Sequence, residues 1–200
     1  MNRICRSGLV VLGLVFLAGA GSAAWFVVYG MSARDEPTVV ETVVARAMRN
    51  LAVPRSLRRM TNPVPASAEV VTQGRAHFAD HCALCHANDG SGQTTIGRNL
   101  YPKAPDLRLA ATQSLSDGAL FAIIRDGVRL TGMPAWGDAS PAGDTMTWHL
   151  VHFMRHLPHI TPEELEGMRA LNPRTQREVE EATQVEEFLN GGPSPPSKKD

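Results

Sequence analysis

The pentapeptide Cys82-Ala83-Leu84-Cys85-His86 constrains this chain more than any other stretch. Two thiols three positions apart lie about one helical turn from each other, so both can face one planar ligand. The histidine that follows can then bring an imidazole nitrogen under the centre of that ligand. Covalent haem needs this spacing, with thioethers from Cys82 and Cys85 to the porphyrin edge and His86 on the iron. Three other chemistries also use Cys-x-x-Cys. A zinc site wants four ligands, usually from a second Cys/His pair, and no cysteine lies downstream of Cys85. A thioredoxin-like redox pair wants a βαβ context, which the surrounding helical pattern does not offer. A disulfide between the two thiols would leave the adjacent His86 without a role.

The chain of 200 residues, 43 % of them hydrophobic, suffices for one ordinary domain plus accessories. Its net charge is zero but unevenly spread. Residues 31–66 hold 6 Lys/Arg and 3 Asp/Glu, residues 67–160 hold 7 and 8, and residues 161–200 hold 5 and 9. No block is basic enough to suggest nucleic acid. All seven histidines fall between His77 and His159, which sets apart the block carrying the pentapeptide.

Ahead of that block, Arg3 and Arg6 precede a run from Leu9 to Ala33 without a charged residue. That run exceeds the roughly 20 residues a helix needs to cross a bilayer. Trp25 and Tyr29 suit a membrane–water interface. The small residues Ala18 to Ala24 could hold a signal-peptidase site, but the run stays apolar through Val28, longer than a typical signal core. The expectation is an uncleaved anchor over residues 9–30, with residues 1–8 as a cytoplasmic N-terminus. Cys5 lies too early for lipoprotein cleavage.

Residues 31–66 are expected to form a linker with one amphipathic helix. Val39, Val40, Val43, Val44, Ala47, Met48 and Leu51 recur at helical spacing, opposite Glu41, Arg46 and Arg49. Pro54, Pro63 and Pro65 then interrupt regular structure. The three arginines in 55–59 could meet anionic lipid headgroups, but a solvated tether is the simpler expectation.

Ser67 suits the cap of a helix in which Val70, Gly74 and Phe78 form one stripe. A mid-helix glycine costs about 1 kcal/mol relative to alanine, so Gly74 predicts close approach of a second helix. Gly74, Phe78, the Cys82–His86 motif and Gly132-Met133-Pro134 together resemble class I cytochrome c, over residues 67–160. The resemblance implies an all-α fold around one covalent haem c and a carrier of single electrons rather than an enzyme. Haem attachment in bacteria follows export. The resemblance therefore also implies a single-pass inner-membrane protein with its haem domain in the periplasm. Pro105-Asp106-Leu107 is similar to the family's Pro-x-Leu, whose proline carbonyl accepts a hydrogen bond from the haem-ligating imidazole. Such a bond fixes the ring and raises its basicity. Pro102 is a rival for that role.

Ser116 and Asp117 open the next helix, with Leu120, Phe121, Ile123 and Ile124 as its apolar side and Gly127 at its end. Met133 follows in a loop flanked by glycine and proline, free to reach the iron as a sixth ligand. A neutral thioether there raises the reduction potential. Met60 and Met168 lie outside the domain, and Met146 and Met154 sit on a helix where methionine usually packs in the core. That helix is expected from about Asp144 to Leu157. Leu150, Val151, Met154 and Leu157 share one arc, and His149, His152 and His156 share another that should be solvated.

Beyond it, Thr161-Pro162-Glu163-Glu164 reads as a helix start, followed by Leu165, Met168 and Leu171. A further helix is expected over roughly Pro173 to Leu189, then a disordered Gly/Pro/Ser/Lys tail from Gly191. Whether this extension, residues 161–200, packs back on the domain is open at this stage.

The expected function is single-electron transfer in a respiratory or dehydrogenase-linked periplasmic chain. The donor would be a dehydrogenase or quinol-oxidising complex and the acceptor an oxidase. Alternatives are a haem subunit of a larger membrane oxidoreductase, and a sensor or peroxidase with an open sixth position, which Met133 opposes.

Overall fold

Every described element is helical in the computed structural model, which describes residues 3–30, 32–174 and 176–191. The chain divides into two compact units, residues 1–36 and 37–200. The first contains a single helix, α1 (Arg3–Tyr29), whose stretch Ser7–Trp25 is long and apolar enough to cross a bilayer. A signal sequence near the N-terminus would share that length and composition.

The second unit opens with α2 (Val39–Ala52), set by a complete capping box between Thr38 and Glu41. A short α3 (Arg55–Arg58) follows. Helix α4 (Ala68–His77) runs through a π-turn (Phe78–Cys82) into α5 (Ala83–His86), a nearly continuous rod that ends on the pentapeptide. Ser67 caps it, its hydroxyl accepting from the Val70 amide at 3.2 Å. The short helices α6 (Thr95–Asn99) and α7 (Ala110–Gln113) interrupt the loop beyond, in a stretch without a helical period. Helix α8 (Asp117–Asp126) is capped by Ser116 as expected.

Helix α9 (Pro141–His156) starts almost a turn before Asp144. Ser140 caps it and Pro141 occupies the first turn, the same signature that marks Thr161-Pro162 further on. A 3₁₀ turn (Leu157–His159) closes it. Helix α4 crosses α9 at Gly74, where any Cβ would run into the His149 carbonyl and stand 3.0 Å from the Phe153 Cβ. The core forms around this crossing. Phe121, Phe153, Leu120, Leu157 and Val151 are fully enclosed, and Phe121 stacks on Trp148 at 4.1 Å. Each such side chain contributes about 1.5–3 kcal/mol through burial.

Two expectations fail here. Residues 55–59 are no solvated tether, although their three arginines are exposed. Val53 is buried with Ala119 and Ala122, and Leu57 packs against them. The Ser116 hydroxyl donates to the Arg58 carbonyl at 2.7 Å, and Asn62 donates to the Trp148 carbonyl at 3.0 Å. Glycine at 118 permits this, because a Cβ there would strike the Leu57 carbonyl. Nor are the α9 histidines solvated. His149 is 8 % exposed, His152 Nε2 meets the Val64 carbonyl at 2.8 Å, and His156 Nε2 meets the Glu164 carboxylate at 2.8 Å. An apolar arc predicts burial of that arc only when the opposite face has no cover. Helix α9 is covered on both sides.

Part of that cover is α10 (Pro162–Arg169), which carries the expected capping box between Thr161 and Glu164. Met168 is fully buried, and Glu164 is paired with Arg75 of α4 at 2.9 Å. Just beyond, the Asn172 side-chain amide donates to the Ala79 carbonyl at 2.9 Å and exchanges hydrogen bonds with Asn88. The extension therefore packs back on the helix that leads to the motif. Helix α11 (Gln176–Leu189) follows, with Val179, Val185 and Leu189 exposed. The expected disordered tail, beyond Gly191, lies outside the described residues.

Candidate haem site

The π-turn ends on Cys82, the first residue of the motif. The Ala83 amide donates to the Phe78 carbonyl, five residues back instead of four. With that extra residue in the turn, Phe78, Ala79, Cys82, Ala83 and His86 all turn inward while Leu84 stays exposed. Cys85 is half-buried. The helix stops at Ala87, whose φ of 60° is left-handed. The chain then folds back over its own end. Gly92 donates to the His86 carbonyl at 2.8 Å, Thr94 Oγ1 to the Cys85 carbonyl at 3.2 Å, and Leu107 to the Gly90 carbonyl at 2.8 Å. Gly97 fits between them because a Cβ would strike the Cys85 carbonyl.

The surroundings of His86 favour its neutral form. Burial lowers its pKa, and the Pro105 carbonyl facing it pulls in the opposite direction without restoring the ordinary value. Its Nδ1 is buried and no well-formed hydrogen bond reaches it, so the Pro105 carbonyl acts as an electrostatic neighbour of the ring. A neutral imidazole is the form that ligates a metal. The carbonyl that addresses the ring is that of Pro105, not Pro102, and Leu107 is buried behind it.

Cys82 and Cys85 are not joined to each other. Burial, and secondarily Cys85, push the Cys82 thiol up to about 12, and burial raises Cys85 as well. Zinc ligation and redox exchange need thiolates, which such surroundings disfavour. Among the described residues no three His, Cys, Asp or Glu side chains are arranged to hold a metal ion. Thioether sulfurs are neutral and meet no such penalty. One buried and one half-buried sulfur beside a buried imidazole whose Nδ1 lacks a hydrogen-bond partner therefore fit a covalent haem.

Met133 is half-buried in a loop pinned along its length. Val128 donates to the Met133 carbonyl at 3.1 Å and the Met133 amide donates to Thr131 Oγ1 at 3.1 Å. Trp136 and Gly137 then bond back to Ile124 and Arg125 of α8. The position of this loop is set largely by its own backbone hydrogen bonds. Gly132 brings it against Leu100, whose Cδ2 would lie 2.6 Å from a Cβ. The indole of Trp136 meets His81 edge-on at 5.4 Å, and His81 stacks on His77 at 4.6 Å. Sequence reasoning passes over Leu100, His81 and Trp136, which carry no spacing signal of their own.

An all-helical core crossed at Gly74 and a Cys-x-x-Cys-His motif at its edge are the features of a class I c-type cytochrome domain. Residues 69–154 match the family model described as cytochrome c oxidase, cbb3-type, subunit III. A domain of this family carries covalently bound haem c and exchanges electrons with redox partner proteins, which fits electron transfer rather than enzymatic turnover.

Proposed function

We propose that this protein relays single electrons at a bacterial inner membrane, held there by α1 with its haem domain in the periplasm. It would take electrons from a dehydrogenase or quinol-oxidising complex and deliver them to an oxidase. In this reading Cys82 and Cys85 carry the thioethers, His86 and Met133 bind the iron, and Pro105 orients the imidazole while Leu107 shelters it. The bound haem supplies the one-electron chemistry. The protein's own residues keep the imidazole neutral, exclude water and hold the methionine loop.

The neutral, buried His86 beside the Pro105 carbonyl carries this reading. Haem should remain with the polypeptide after acid denaturation and solvent extraction. Free extraction would defeat the thioether assignment. Met133→Ala should lower the reduction potential and let the ferrous protein bind carbon monoxide. A wild-type protein that already binds it readily has an open sixth position and is not a His/Met carrier.

The family match favours a second reading, a haem subunit of a larger membrane oxidoreductase. A stoichiometric complex surviving mild solubilisation of the native membrane would select it over a free carrier.

A further inference from the structure

Helix α2 is turned inside out. Its apolar arc, Val39, Val40, Val43, Val44, Met48 and Leu51, is exposed, Val39 by 80 % and Leu51 by 82 %. The half-buried positions are on the polar side, at Thr42 and Arg49. Both ends are tied to the domain by polar contacts. At the start, the Tyr101 hydroxyl hydrogen-bonds Glu41. At the end, the Arg58 guanidinium bonds the Asn50 and Val53 carbonyls, and Val53 is buried against α8. The helix is thus held in place with its hydrophobic face outward. A helix normally turns that face to the core, so this one is placed to meet something else.

Charge and chain length identify what. Arg46 borders the apolar arc, and Arg55 and Arg59 follow around α3, all three exposed. Between Val39 and Arg59 there are five arginines against one carboxylate, Glu41. A helix with an apolar face flanked by arginines suits the boundary between acyl chains and anionic headgroups. Only residues 30–38 separate α2 from α1, a connection that reaches at most about 30 Å when fully extended. If α1 is anchored, α2 cannot stray far from the bilayer surface.

We infer that α2 lies in the headgroup plane of an anionic membrane, apolar face down, and holds the haem domain against that surface. This rests on the reading of α1 as an anchor. Alignment in the plane would restrict the domain to one tilt toward partners in the same membrane, where a tether would leave it free to tumble.

The test uses full-length holoprotein in vesicles of phosphatidylglycerol and phosphatidylcholine, with Cys5→Ser removing the free thiol. An environment-sensitive fluorophore is attached at Val43→Cys on the apolar arc or at Ala45→Cys on the opposite side. Lipid-borne shallow quenchers should remove about half the emission at 43, as expected for a face sunk about 5–10 Å, and little at 45. Arg46→Gln/Arg55→Gln/Arg59→Gln should reduce quenching at 43, as should vesicles of phosphatidylcholine alone. Equal quenching at both positions in protein that floats with the vesicles overturns the inference. So does protection at 43 that appears only at high protein-to-lipid ratio, which assigns the face to a second copy. A chain that does not float at all fails earlier, at the anchor itself.

Discussion

Helices α2 and α10 flank the haem domain on either side in sequence, and both are amphipathic, yet they are used in opposite ways. Helix α2 has six large apolar residues and buries none of them. Helix α10 has only Leu165 and Met168 to offer, and Met168 is completely enclosed. Apolar area therefore does not decide which helix joins the core. Polar registration does. Glu164 reaches both Arg75 and His156, and Asn172 is fixed to Ala79 and Asn88, so α10 has one seating on α4 and α9. The polar contacts of α2 hold it with its other side inward.

Substitutions on the two helices should separate these roles. Met168→Ala should cost the most, about 2–5 kcal/mol in chemical denaturation, since it opens a cavity in a closed core. A cost below about 1 kcal/mol would mean that α10 is only loosely seated. Asn172→Ala should come next, at about 1–3 kcal/mol, because the Ala79 carbonyl loses its donor in a partly buried place. Hydrogen exchange at the end of α4 should rise with it.

Glu164→Gln should cost about 1 kcal/mol at neutral pH, in keeping with a small network of partly exposed charges. Burial raises the Glu164 carboxyl, but His156, the Thr161 amide and Arg75 outweigh it and leave the pKa below its ordinary value. A lowered carboxylate pKa stabilises above the unfolded value, about 4.3, and that contribution is lost as pH falls through the folded value. The wild-type advantage over Glu164→Gln in thermal melts should therefore shrink once pH falls below the unfolded value and vanish below the lowered folded one. An advantage that persists undiminished in acid would rule out the charge as its source. Smallest of all, Val43→Ala in detergent should shift stability by no more than about 0.5 kcal/mol. A larger loss would show that the α2 face packs on protein after all.

Much of the fold is legible in the sequence because its signals are local. Ser67, Ser116 and the Thr161–Glu164 box mark their helix starts within four residues. Gly74 announces a helix crossing because a bare Cα in mid-helix costs stability unless a neighbouring backbone occupies the space. The Cys82–His86 spacing is readable for a similar reason, being a short local pattern. What stays hidden depends on contacts distant in sequence. The seating of Leu57 needs the absent side chain of Gly118, some sixty residues away. Burial of His149, His152 and His156 needs residues 62–64 and α10, which a helical wheel of α9 cannot show. Ser140-Pro141 is a local signal that is easily missed, since the small residues after it carry no apolar period.

The seating of α10 also sets an order of events. Asn172 grips Ala79 from 93 positions downstream, and Met168 joins the same core as Phe78. Neither contact can exist until the later residue has been made. His86 is complete while 86 further residues (172 − 86) remain to be translated before Asn172 is in the chain. At about 5–20 residues per second, that leaves roughly 4–17 s in which the pentapeptide lacks its final neighbours. A thiol-bearing segment that its own C-terminal extension later covers is most open to chemistry before α10 and Asn172 have docked, whether that docking follows synthesis or export.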